Sequence, residues 1–194
     1  MVWAAIEANG AVSLTFVSSS MNSADYQSVL EEHLEPFWQP EFIFQQDNAP
    51  IHCSRSSKTW FEQQNIQLLP HPARSPDLNP IENYWAILAR RVYDDGRQFN
   101  SVESLKEAIL AAHEAIEPEI FKNLISSMPN RMIERYKGSN SATLRSRSCF
   151  ELTRRSFAGP SNDARSLVTM ATVKGAVERT LSKPQRTGSS LESG

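Results

Sequence analysis

Two cysteines in 194 residues, Cys53 and Cys149, are too few and too far apart for a disulfide framework or a zinc-ligand pattern. No apolar run approaches the roughly 18 residues that a membrane span needs, and no signal peptide is visible. No phosphate loop or nucleophile elbow occurs, and neither Ser101 nor the serine-rich tail offers a paired histidine and acid. A strongly basic balance is missing too, since the formal net charge is −2. These absences exclude a secreted disulfide scaffold, a helical membrane protein and the common nucleotide-binding and serine-hydrolase classes. The residues that remain suit a soluble intracellular chain with 40% hydrophobic content and a sizeable core.

The near-neutral total hides two unequal parts. Residues 1–138 hold 11 Lys/Arg against 18 Asp/Glu, and residues 139–194 hold 9 against 4. Residues 1–138 alternate predicted strands and helices. MVWAAIEANGAVSLTFV reads as two strands joined at Asn9-Gly10, a hairpin signal. From Ala24 the spacing of Tyr26, Val29, Leu30, His33 and Leu34 predicts a helix ending near Pro36. EFIF, residues 41–44, predicts a strand, residues 54–64 a helix, and IQLLPHP a strand stopped by Pro70 and Pro72. Residues 79–93 read as a helix capped by Asn79, with Pro80 in its first turn. Ser101 caps another helix, and Pro118 opens one that should break near Pro129. The order predicts an α/β fold with a mixed sheet. Residues 139–194 are serine-rich and basic, and we read them as a largely disordered tail or as non-native coding sequence. ARSLVTMATVKGAVERTL within them reads at most as a weak helix.

Two acids stand out. Asp47 follows the EFIF strand by two glutamines, and Glu82 lies in the first turn of the 79–93 helix, with 34 residues between them. Paired carboxylates at a sheet edge are hard oxygen ligands for Mg²⁺ or Mn²⁺. Two such ions can activate an attacking oxygen and steady a leaving one in phosphoryl transfer. Each acid also has a purely structural explanation. Asp47-Asn48-Ala49-Pro50 is a good turn, and Glu82 matches the reciprocal acid of a capping box begun by Asn79. His52 is either a supporting group beside the metal site or an exposed histidine after a turn. His71, between two prolines, is the weaker histidine candidate. Arg90, Arg91 and Arg97 form the best basic patch, readable as a DNA contact or as a solvated helix end. Trp60, Phe61, Tyr84 and Trp85 sit at helical spacing and read as core.

FIFQQDNAPIH followed by LLPHPARSPDLNPIENYWAILARRVY resembles the catalytic domain of Tc/mariner-type DNA transposases, and the hairpin and MNSADYQSVLEEHLEPF resemble it as well. The similarity covers residues 1–138. It implies an RNase H-like mixed sheet flanked by helices, with a C-terminal helical part and an aspartate, aspartate, glutamate triad. Asp47 and Glu82 would be the second aspartate and the glutamate, as catalytic and metal-ligating residues, with Asn48 and His52 in support. The implied cofactor is Mg²⁺ or Mn²⁺, and the implied activity is DNA strand cleavage and strand transfer in the nucleus. Implied partners are DNA and a second copy or an intact transposase, with no membrane. The family's first aspartate sits on a strand that would precede Met1, and Asp25 falls in a helix instead. The resemblance therefore implies an N-terminally truncated domain lacking its first strand, incomplete as a metal site, and inactive or a non-catalytic DNA- or transposase-binding protein. It also implies that the hairpin and the Asp47 strand have no ladder partner between them.

Overall fold

The computed structural model describes residues 1–72, 75–138 and 167–173. A hairpin comes first, β1 (Val2–Glu7) and β2 (Gly10–Phe16), antiparallel and turned at the expected Asn9-Gly10. Its register shifts between Ala5 and Ile6, where β2 gains a residue. Helix α1 (Ser23–His33) starts one residue before the reading from Ala24, because Asn22 caps it. The Asn22 side chain accepts from the Ala24 and Asp25 amides at 2.7 and 3.1 Å, and Asp25 accepts from the Asn22 amide at 2.9 Å. Asp25 is thus a capping residue, remote in role from any metal.

The chain then forms β3 (Ile43–Gln45), the one-turn helix α2 (Pro50–Cys53) and α3 (Arg55–Gln63), the last capped by Ser54. The strand expected at IQLLPHP shrinks to a single parallel bridge between Leu68 and Phe44. Pro70 and Pro72 lack the N–H that a longer ladder would require. Helix α4 (Pro80–Val92) begins at Asn79 as expected, and α5 (Val102–Glu114) begins at Ser101. Helices α6 (Pro118–Ser126) and α7 (Met128–Gly138) follow. The helix opened by Pro118 breaks at Ser127, close to Pro129 as expected, and Pro129 sits in the first turn of α7, where its missing donor has no intrahelical partner anyway.

The fourth strand, β4 (Leu167–Val173), decides the architecture. The sheet order is β2-β1-β4-β3. β4 runs antiparallel to β1, with Ala4 opposite Ala171, and parallel to β3, with Gln45 opposite Thr169. The gap expected between the hairpin and the Asp47 strand is therefore filled, and by a segment in which the sequence reading saw at most a weak helix. LVTMATV is rich in β-branched residues, which favour a strand wherever ladder partners exist on both sides. The remainder of 139–194 lies outside the described residues.

Side chains of β1 alternate between two cores, as those of a strand buried on both faces must. Trp3 and Ala5 join Tyr26, Leu30, Phe44, Trp60 and Phe61 under α1 and α3. Val2, Ala4 and Ile6 join Ile81, Tyr84, Leu88, Leu105 and Phe121 under α4, α5 and α6. The result is a mixed sheet between two helical layers, consistent with the RNase H-like expectation. The aromatic residues read as core are buried, except Trp85, which is only partly so.

A proline within β4 tests the central strand. Met170→Pro, opposite Ala5, removes a main-chain donor from a strand paired on both sides. It is expected to lower stability by roughly 2 kcal/mol or more in urea unfolding. An unchanged midpoint would place 167–173 outside the sheet.

Candidate metal-binding site

Strands β3 and β4 are parallel, so their C-terminal ends share one edge of the sheet, and open α/β sheets place ligands beyond such an edge. Gln45 ends β3 and Gln46 follows it, both buried, and Asp47 emerges directly after them into solvent. Both readings of Asp47 are realised at once. Its Oδ1 accepts from the Ala49 amide at 3.0 Å, closing the expected turn. The same oxygen lies 2.6 Å from His52 Nδ1, which must be the donor because a carboxylate only accepts. Oδ1 is thus held locally, and Oδ2 has no partner among these contacts.

His52 is not the exposed histidine of one reading; it is 3% exposed. α2 turns it inward, where its ring packs 4.5 Å from that of Tyr26. The Tyr26 hydroxyl donates to Gln46 Oε1 at 2.5 Å. One buried group of Tyr26, Gln46 and His52 therefore stands behind Asp47. The hydrogen bond from His52 holds the Asp47 carboxyl below its usual range, outweighing the opposing effect of partial burial.

Glu82 occupies the third position of α4. The capping-box alternative requires its carboxylate to accept from the Asn79 amide, but that amide donates to the Pro76 carbonyl at 2.9 Å. The Asn79 side chain instead reaches the Ile81 amide at 3.4 Å. Glu82 is left to face the cavity. A helix N-terminus favours the charged form, yet the Glu82 carboxyl stands above its usual range. Partial desolvation and, after it, the charge of Asp47 raise it.

Asp47 and Glu82 line a single cavity of about 410 Å³, together with Asn48, His71, Pro72, Ser75 and Asn79. The Asn48 side chain donates to the His71 carbonyl at 2.9 Å, and Gln45 Nε2 donates to the Leu78 carbonyl at 2.6 Å. His71, the weaker histidine on sequence grounds, is therefore a wall of the site, and Gln45 lies just behind it. For Gln45 the available signal was its place two residues before Asp47, on the same face of a strand. Burial holds the His71 imidazole below its usual range. Among the described residues, no three His, Cys, Asp or Glu groups gather into one metal cluster.

The basic patch lies elsewhere. Arg90 and Arg91 fall eight and nine residues along α4 from Glu82, about 12 Å at the rise of a helix. Arg91 donates to the Ala115 carbonyl and pairs with Glu117 at 2.7 Å. Arg97 lies over the Phe99 ring at 5.1 Å, and Arg90 is exposed.

Residues 1–106 match the family model described as DDE superfamily endonuclease. The chain is 48% identical over 138 residues to the Tc3 transposase of Caenorhabditis elegans, covering 69% of this chain and 42% of that protein. It is 34% identical over 136 residues to the Tc1 transposase of the same organism, covering 68% and 49%. It thus spans less than half the length of either. A solved structure of the Mos1 transposase catalytic domain with raltegravir and Mg superposes with a TM-score of 0.56 at 28% identity, covering 64% of this chain and 67% of that one. A Mos1 paired-end complex with the left transposon end gives 0.58 at 28% identity, covering 67% and 40%. No helix among the described residues is long and apolar enough to cross a membrane. A carboxylate on β3's exit, a second on the first turn of α4 and the match over both make the chain a member of the DDE superfamily endonucleases, of the Tc/mariner-type transposase catalytic domain.

Proposed function

We propose that Asp47 and Glu82 together bind a divalent cation, Mg²⁺ or Mn²⁺, at the end of β3, in a domain descended from DNA strand cleavage and strand transfer. The observation that carries this is the pair of carboxylates lining one cavity, with the charge of Asp47 raising the cost of charging Glu82. A cation between them relieves that cost. The residues fit a hydrated ion: Asp47 Oδ2 and the Glu82 carboxylate supply hard oxygens, and Mg²⁺ keeps several waters as it binds. An ion held there by Asp47 and Glu82 would supply Lewis-acid stabilisation of oxygens at phosphorus. The chain's own residues hold and orient it. His52 and the Ala49 amide fix Asp47 through Oδ1, which leaves Oδ2 available to a cation.

A second reading, binding of DNA or of another transposase copy without catalysis, is favoured by one observation. The parallel register of β4 with β3 runs from Leu167 opposite Ile43 to Thr169 opposite Gln45. Continued by two residues, it sets position 171 beside Asp47, and that residue is alanine. Among the described residues no third carboxylate joins the pair. We therefore propose that this chain binds metal and DNA with little or no strand cleavage, its DNA contacts including Arg90, Arg91 and Arg97, and that it acts in the nucleus with DNA and another transposase chain as partners. Metal-dependent nicking of duplex DNA that both Asp47→Asn and Glu82→Gln abolish would reverse this choice and restore the catalytic reading. Salt-dependent DNA binding without nicking is the expected result.

The carboxylates have opposite effects on the metal-free protein. The Asp47 carboxyl is depressed, so its stabilisation is present at neutral pH and disappears as the pH falls through its folded value. Asp47→Asn is expected to lower the thermal midpoint at pH 7 and to have no effect in acid. The Glu82 carboxyl is raised, so its charge costs stability at neutral pH. Glu82→Gln is expected to raise the midpoint without metal. Millimolar Mn²⁺ should raise the wild-type midpoint by more than it raises that of Glu82→Gln. A wild-type midpoint indifferent to Mn²⁺ would reject the metal site.

A further inference from the structure

Gln45 is the last residue of β3 and is 1% exposed. A buried amide of this kind is costly unless its hydrogens are used. Its Nε2 donates to the Leu78 carbonyl at 2.6 Å and lies 3.1 Å from His71 Nδ1. The Leu78 carbonyl can only accept, which fixes the amide nitrogen on that side. The second hydrogen then falls to His71, whose Nδ1 must carry a lone pair. The His71 carbonyl accepts in turn from Asn48 Nδ2 at 2.9 Å.

These contacts join two segments that main-chain pairing does not hold at this level. The ladder between β3 and the following segment ends with the Leu69 amide on the Phe44 carbonyl, 2.8 Å. Beyond it, Pro70, Pro72, Pro76 and Pro80 offer no main-chain N–H. The side chain of Gln45 helps to bridge this stretch, from a point two residues before Asp47 to a carbonyl four residues before Glu82.

We propose that Gln45 is a positioning residue that sets the separation of the Asp47 and Glu82 carboxylates, so that one divalent cation engages both. The inference rests on the reading of those acids as a metal pair. Its consequence is a coupling: with the Gln45 bridge in place, the ion needs Glu82, and without it the ion is held by Asp47 alone.

The test is a double-mutant cycle on the full chain, with Mn²⁺ as the probe and the free ion read by electron paramagnetic resonance. In the wild type, Glu82→Gln is expected to weaken Mn²⁺ about tenfold or more. In a Gln45→Met background, which keeps side-chain length and removes both donors, the same change is expected to cost less than about twofold. Gln45→Asn keeps the amide one carbon shorter and is expected to uncouple the acids similarly, serving where Gln45→Met fails to fold. A merely structural Gln45 would lower the thermal midpoint but leave the full effect of Glu82→Gln in the variant background, and that result overturns the proposal. A wild type that binds Mn²⁺ equally with and without Glu82 instead overturns the metal pair itself, and the positioning role with it.

Discussion

Everything in this fold depends on the pairing of β4 with β1 on one side and β3 on the other. β1 and β3 are not neighbours in the sheet; two strand spacings, about 10 Å, separate them. β1 carries the core on which α4 rests, and β3 delivers Asp47. β4 therefore spaces the strand that delivers Asp47 from the strand whose core α4 rests on. A sheet without it would present two facing edges of unpaired N–H and C=O groups, a template for association with other chains. With it, β1 has a ladder partner on each side and both of its faces are covered by helices.

The site at the end of that sheet shows which electrostatic effects prevail. At Asp47 a hydrogen bond from a buried histidine outweighs desolvation, and the acid is held charged. At Glu82 partial desolvation and a like charge make the acid harder to charge. A pair biased in this way is poorly satisfied by the protein alone and well satisfied by a cation. The turn that Asp47 makes with Ala49 is no competitor to that role, because it uses one carboxylate oxygen and leaves the other.

Much of this was legible in the sequence wherever the signal is local. Asn9-Gly10 announces the hairpin, and Asn79-Pro80 the start of α4. The carboxylates were identifiable by their places after a strand and inside a first turn. The rest depends on contacts between distant segments. LVTMATV lies in a stretch that reads at most as a weak helix, and only the vacancy between β1 and β3, far away in the chain, selects the strand. The burial of His52 depends on Tyr26, and the place of His71 on Gln45 and Asn48. Arg90, Arg91 and Arg97 looked alike in sequence, but Glu117 and Phe99 give two of them different surroundings.

The most direct measurement of this account is native-state amide hydrogen exchange across 167–173, compared with β1. A strand paired on both sides exchanges only through large-scale unfolding. Protection of the 167–173 amides to the same level as those of Trp3 to Ile6 is the predicted result. Exchange of 167–173 at the rate of an unstructured peptide, with β1 still protected, would contradict it.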